Sequence, residues 1–252
     1  MDTYSAEKLL AFFYPVIILM SLLCCITSGV AWVHWRHVLN ACPVTNCGCF
    51  LNGHSTYNEF EGGHIAYCHF ATYGLILPLF FAVILGIYHV YRVCMGTGKR
   101  KQGVTTLRQR SGDMIVVTTE SEMMNNGISP YYWTPASVIS CVMFLYTLVH
   151  AAIYTDGFTT TCEQYRVTLL KEIQGVGHIV GVIKGRLSCG AVFDFMDFLV
   201  RSDRYERRRY GQIHTATCLY IALIGTWLAV FAWLSISVIN IVQSRRSKLA
   251  RM

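Results

Sequence analysis

Residues 9–33 read LLAFFYPVIILMSLLCCITSGVAWV, a run without one acidic or basic side chain. A helix rises about 1.5 Å per residue, so roughly 20 apolar residues cross a hydrocarbon core about 30 Å thick. The run is long enough to span, and it has no polar face to offer to water. Three more blocks behave alike. Residues 70–91 hold His89 near one end, and residues 135–155 hold His150. Residues 213–242 form the longest block, which must tilt or emerge from the bilayer. A fifth apolar stretch, Ile173 to Ile183, is closed by Lys184 and Arg186 too early to cross. The sequence therefore predicts four spans.

Composition points the same way. Hydrophobic residues make up 54% of the 252 and charged residues 14%, about half of the ~25% charge usual in soluble domains. Disorder, collagen and coiled coil all need polar, glycine-periodic or charge-rich sequence, and are excluded. The expected fold is an all-α membrane protein: a single domain, residues 1–252, forming a four-helix transmembrane bundle with disulfide-containing extracellular loops.

Basic residues orient the spans. The loop 92–134 carries Arg92, Lys99, Arg100, Lys101, Arg108 and Arg110, and the C-terminal tail carries Arg245, Arg246, Lys248 and Arg251. That places both termini and the middle loop in the cytosol, with loops 34–69 and 156–212 extracellular or lumenal. Arg201, Arg204, Arg207, Arg208 and Arg209 run against the rule, but their loop approaches the ~60 residues beyond which charge weighs less.

Cysteine placement tests the orientation without using charge. Of eleven cysteines, Cys42, Cys47, Cys49, Cys68, Cys162 and Cys189 all fall in the two outer loops. An even set in an oxidising compartment reads as up to three disulfides, with fifteen connectivities open. Because Cys68 opens span two and Cys162 follows span three, at least one bridge is expected between loop one and loop three. The zinc alternative uses Cys42, Cys47, Cys49, His54, His64, Cys68 and His69. Those cysteines lack the two matched pairs of a structural site, and thiols outside the cell oxidise. Cys94 follows span two beside basic residues on the cytosolic side, within reach of S-acylation, and is the lipidation candidate.

Cys47-Gly48-Cys49-Phe50-Leu51, then Ala66-Tyr67-Cys68-His69-Phe70 entering span two, resemble the matching stretch of the transmembrane protein 179 family. Gly157-Phe158-Thr159 followed by Cys162 is similar to that family's exit from its third helix. Trp227 and Ala232-Trp233-Leu234 resemble its fourth helix. The motifs occur in the expected order over about half of the chain. The resemblance implies a multi-pass membrane protein and carries over no catalytic residue. The third loop here is longer than the family's pattern.

Catalytic patterns are scarce. No Asp, Glu, Lys or Arg lies at depth in the four blocks, which removes the usual chemistry of proton relays and intramembrane aspartate proteases. His150 reads as a helix-packing hydrogen bond. Gly175, Gly177, Gly181 and Gly185 do not form a phosphate loop, because Lys184 precedes the last glycine and Arg186 follows it. Asp194 and Asp197, three residues apart, read as one wet face of a short helix whose Phe195, Met196, Phe198, Leu199 and Val200 suit the outer membrane surface, a cover over the span bundle, or packing on its own loop. No catalytic, cofactor-binding or metal site is expected, and no cofactor.

The sequence thus favours a non-enzymatic adaptor or accessory subunit. Its expected partners are the lipid bilayer and another membrane protein, with a second copy of the chain admitted and nucleic acid excluded. The competing class is an oligomeric channel or small-solute pathway. Its polar lining would have to come from Thr27, Ser28, Ser140, Thr147, His150, Ser235, Ser237 and Asn240.

Overall fold

The computed structural model describes residues 3–36, 39, 47–56, 60–95, 105–108, 114–117, 129–172, 180–181, 187–200 and 213–249. Helix α1 is Thr3–Trp35. After it come strands β1, Cys49–Ser55, and β2, Phe60–Gly63, and then helices α2, Ile65–Tyr73, and α3, Ile76–Cys94. Strands β3, Thr105–Arg108, and β4, Met114–Val117, pair antiparallel ahead of α4, Pro130–Glu172. Helix α5, Cys189–Val200, and α6, Thr215–Leu249, complete the described chain. Among the described residues, four stretches are long and apolar enough to cross a membrane: α1, α2 with α3, α4, and α6.

The side-chain sorting is that of a membrane bundle. Along α1 the inward positions include Ala6, Tyr14, Ser21, Cys24, Ser28 and Ala31, repeating every three or four residues. The outward positions include Phe12, Leu19, Leu22, Ile26, Val30 and Val33. Small and polar groups turn inward while large apolar groups face out, the reverse of a water-soluble helix. Helix α6 follows suit, burying Ala222, Gly225, Thr226, Ala229 and Ser237 and exposing Ile224, Phe231 and Val238. It packs along both α1 and α4, and α3 lies against α1.

Three of the four spanning elements outrun their apolar blocks at both ends, and α6 does so at its C-terminal end. At 43 residues, α4 continues far past residue 155, so the first part of the third loop is helix. Within span two the helix breaks at Gly74–Leu75. Pro78 has no N–H to give to the carbonyl of Gly74, four residues earlier, and so favours a break there. Gly74 also sits where a β-carbon would lie 2.8 Å from the ring of His150. His150 Nε2 lies 3.3 Å from the carbonyl oxygen of Ala71, on the turn ahead of the break. This is the helix-packing contact expected of that histidine.

Two buried cores are stacked along the bundle. One gathers Trp32, Trp35, Phe50, Tyr154, Phe158 and Phe193. The other gathers Leu10, Tyr14, Ile17, Trp133, Trp233 and Ile236.

Candidate functional site

The first core is roofed by a cap that the hydropathy pattern did not foretell. Strands β1 and β2 pair antiparallel, with Cys49 opposite Gly63 and His54 opposite Glu61, and the register shifts in between. Asn52 takes a positive φ of 55° in that irregular part, a conformation its short polar side chain tolerates. Asn52-Gly53 and Gly62-Gly63 are the turn-type signals that could have revealed a hairpin here.

The hairpin rests on α4. Thr161 Oγ1 donates to the carbonyl oxygen of Phe50 at 2.8 Å and accepts from the backbone N–H of Gly53 at 3.0 Å. The backbone N–H of Ser55 donates to Gln164 Oε1 at 3.3 Å, and Lys171 Nζ donates to the carbonyl oxygen of Thr56 at 2.6 Å. The approach is close because Gly157 has no side chain: a β-carbon there would lie 3.0 Å from Leu51 Cβ. The extension of α4 past residue 155 is thus the platform on which loop one folds.

Disulfides fasten both pieces. Cys49 is bonded to Cys68, tying β1 to the first turn of α2, and Cys162 is bonded to Cys189, tying α4 to the start of α5. Cys47 is disulfide-bonded as well. The expected bridge between loop one and loop three is therefore wrong. Both cysteines of the third loop are spent on each other, and the two loops are joined by the Thr161, Gln164 and Lys171 hydrogen bonds instead. Of the residues the zinc alternative would use, Cys49 and Cys68 have their sulfurs bonded to each other. Among the described residues, no group of three His, Cys, Asp or Glu side chains could hold a metal ion.

Asp197 is not on a wet face. Its carboxylate accepts the backbone N–H of Thr215 at 2.8 Å and the hydroxyl of Thr215 at 2.5 Å. The Thr215 oxygen accepts from Trp35 Nε1 at 2.7 Å. A carboxylate on the first N–H of α6 satisfies an orphan donor and meets the positive end of the helix dipole. The helix end, not a catalytic partner, explains that residue. Burial pushes the Asp197 carboxyl above its ordinary value, and the Thr215 hydrogen bonds pull against this. Asp194 is exposed.

At the other end of the bundle lies a second polar assembly. Arg92 Nη2 sits 3.2 Å from Glu7 Oε1, with the Glu7 side chain only 4% exposed. The charge-free blocks hid this pair because α1 starts before Leu9 and α3 runs past Tyr91, so both charges stay helical. His89 Nε2 and the Tyr132 hydroxyl share a 3.0 Å hydrogen bond, and the Tyr14 ring stacks on His89. Asn240 Nδ2 lies 3.3 Å from Ser140 Oγ. Cys94, at the end of α3, is an exposed free thiol. Cys42, the basic residues 99–101, the arginines between 201 and 209 and most of the glycine run 175–185 lie outside the described residues.

The eight side chains available to a pore all bond inward or to their own helices. Thr27 donates to Leu23, Thr147 to Met143, Ser235 to Phe231 and Ser237 to Trp233, each at a backbone carbonyl. Ser140 donates to the Ser137 carbonyl, and Ser28 to the Tyr154 hydroxyl. His150 and Asn240 are used as described above. No protein-family model, curated protein or solved structure matches this chain.

Proposed function

We propose that this multi-pass membrane protein is non-enzymatic and serves as an adaptor or accessory subunit, presenting its disulfide-bonded cap to another membrane protein. The observation that carries the reading is the fate of the pore candidates. Each of the eight makes at least one hydrogen bond within the chain, and aromatic side chains of Tyr14, Tyr154 and Trp233 fill the interior around them. That arrangement disfavours the alternative, an oligomeric channel, and leaves a rigid cap as the surface suited to recognition. A pre-organised surface loses little conformational entropy on binding.

In this reading the cap is extracellular or lumenal and both termini are cytosolic. The grouping of the disulfides at one end, with Arg245, Arg246 and Lys248 in the last turns of α6 at the other, supports it. Cys94 then faces the acylation machinery. The motif resemblance to the transmembrane protein 179 family belongs to the same proposal.

Proximity labelling in intact cells, followed by affinity purification in mild detergent, tests the reading. A membrane protein should co-purify, and its recovery should fall when the cap is opened by Cys162→Ser while the bundle stays helical. Recovery indifferent to the cap, together with ion currents in liposomes abolished by Asn240→Ala, would move the channel reading to first place. Epitope tags at either terminus should stain only after permeabilisation.

A further inference from the structure

Helix α5 is too short to span: 12 residues rise about 18 Å. Both of its ends are pinned to spanning helices. Cys189 is bonded to Cys162, and Arg166 Nη2 donates to the carbonyl oxygen of Leu187 at 2.6 Å just ahead of the helix. Near its other end, Asp197 holds the first N–H of α6. One side of α5 is buried through Val192, Phe193 and Met196. The ring of Phe158 lies 5.3 Å from Phe193 and 5.4 Å from Tyr220, and a β-carbon on Gly190 would lie 3.4 Å from the Tyr220 ring. Thus α5 runs beside the opening turns of α6, from Tyr220 at its start to Thr215 near its end.

Those turns are where α6 begins to expose large apolar side chains: Tyr220, Ile221 and then Ile224. Toward the Thr215 end, outward of those side chains, α5 leaves Phe195 42% and Phe198 67% exposed. These two residues are three apart, and the exposed Asp194, one turn before Phe198, edges the same face on the side away from Phe195. An aromatic face beside an acidic flank, at the level where a span enters the bilayer, is the pattern of an interfacial helix. With both ends fixed, α5 cannot roll to bury the two rings.

We infer that α5 is a lipid-contacting interfacial helix, with Phe195 and Phe198 set into the acyl–headgroup boundary of the leaflet at the cap end. The rings extend the lipid-facing surface of α6 toward the headgroups and fix the height at which the cap stands above the membrane. The inference rests on the spanning helices and not on the adaptor reading, so either can fail without the other.

Site-specific benzoylphenylalanine at 195, 198 or 194, in cells fed a clickable fatty acid, reads the neighbour directly. Only protein with an intact Cys162–Cys189 bond is scored. Light should produce lipid adducts severalfold stronger at 195 than at 194, with 198 between them. Protein adducts at 195 and 198, adducts to a second copy of the chain, or equal lipid labelling at all three positions would overturn the inference. A second arm uses Phe198→Trp, which keeps an exposed aromatic, in nanodiscs. The added emission should be quenched by brominated lipid more than by aqueous iodide, and the opposite order would also overturn it.

Discussion

The two ends of the bundle solve the same problem by different chemistry. At the cap, a hairpin and a short helix are held by Cys49–Cys68 and Cys162–Cys189, while Thr161 and Lys171 hydrogen-bond the hairpin to α4 and Asp197 hydrogen-bonds the short helix to α6. At the opposite end the helices themselves continue, and a buried Glu7–Arg92 pair with His89–Tyr132 joins α1, α3 and α4. Short strands and a 12-residue helix have little core of their own, so covalent bonds restrict the unfolded alternatives. Long helices satisfy their own backbone and need only side-chain pairing to set which helix meets which. One end is stapled; the other is matched by charge.

Removing one charge should give the largest effect. Arg92→Met leaves Glu7 buried without its cation, a change of about 3–5 kcal/mol for a buried pair that loses one partner. Adding Glu7→Gln should recover most of the loss. Thermal unfolding in detergent measures both, and equal effects of the single and double variants would show that the pair holds nothing together.

Next comes the staple. Cys49→Ser should cost about 3 kcal/mol in the chain-entropy model for a loop of this size, and Cys162→Ser a similar amount. Protease cleavage within β1 or ahead of α5 should quicken, while protection of α1 and α3 is unchanged. A reductant should reproduce this in the natural chain. If it loosens the Glu7–Arg92 end equally, the two ends are not separate.

Thr161→Val is smaller. It removes the donor to Phe50 and leaves the Gly53 N–H unpaired, a cost of about 1–3 kcal/mol. Hydrogen exchange at Gly53 should rise with little change at His89.

The smallest effect is in pH. Since burial raises the Asp197 carboxyl, its contribution to the cap is full below the ordinary carboxylate range and is lost as pH rises through its folded value. The stability of the natural chain relative to Asp197→Asn should therefore decline with rising pH, as followed by unfolding of the cap. A rise would mean that the Thr215 hydrogen bonds outweigh burial.

Much of this was legible in the chain. The four spans follow from block length, because a bilayer demands about 20 apolar residues and tolerates no exposed backbone. The inward bond of His150 followed from its isolation among apolar residues. The hairpin was harder to see, since its strands are short and irregular and its only marks are Asn52-Gly53 and Gly62-Gly63. The role of Asp197 was hidden because its partner, Thr215, is remote in sequence and the intervening residues say nothing of where α5 lies.

Hydropathy by itself determined how many times the chain crosses, because burial in lipid is a property of each block taken alone. The choice of pairings belonged to the tertiary structure. Six loop cysteines allow fifteen connectivities, and only the lie of β1 against α2 and of α5 against α4 brings Cys49 to Cys68 and Cys162 to Cys189. Glu7 finds Arg92 for the same reason: a hydrogen bond or disulfide reaches a few ångströms, and such distances are set by how helices pack, not by their spacing along the chain.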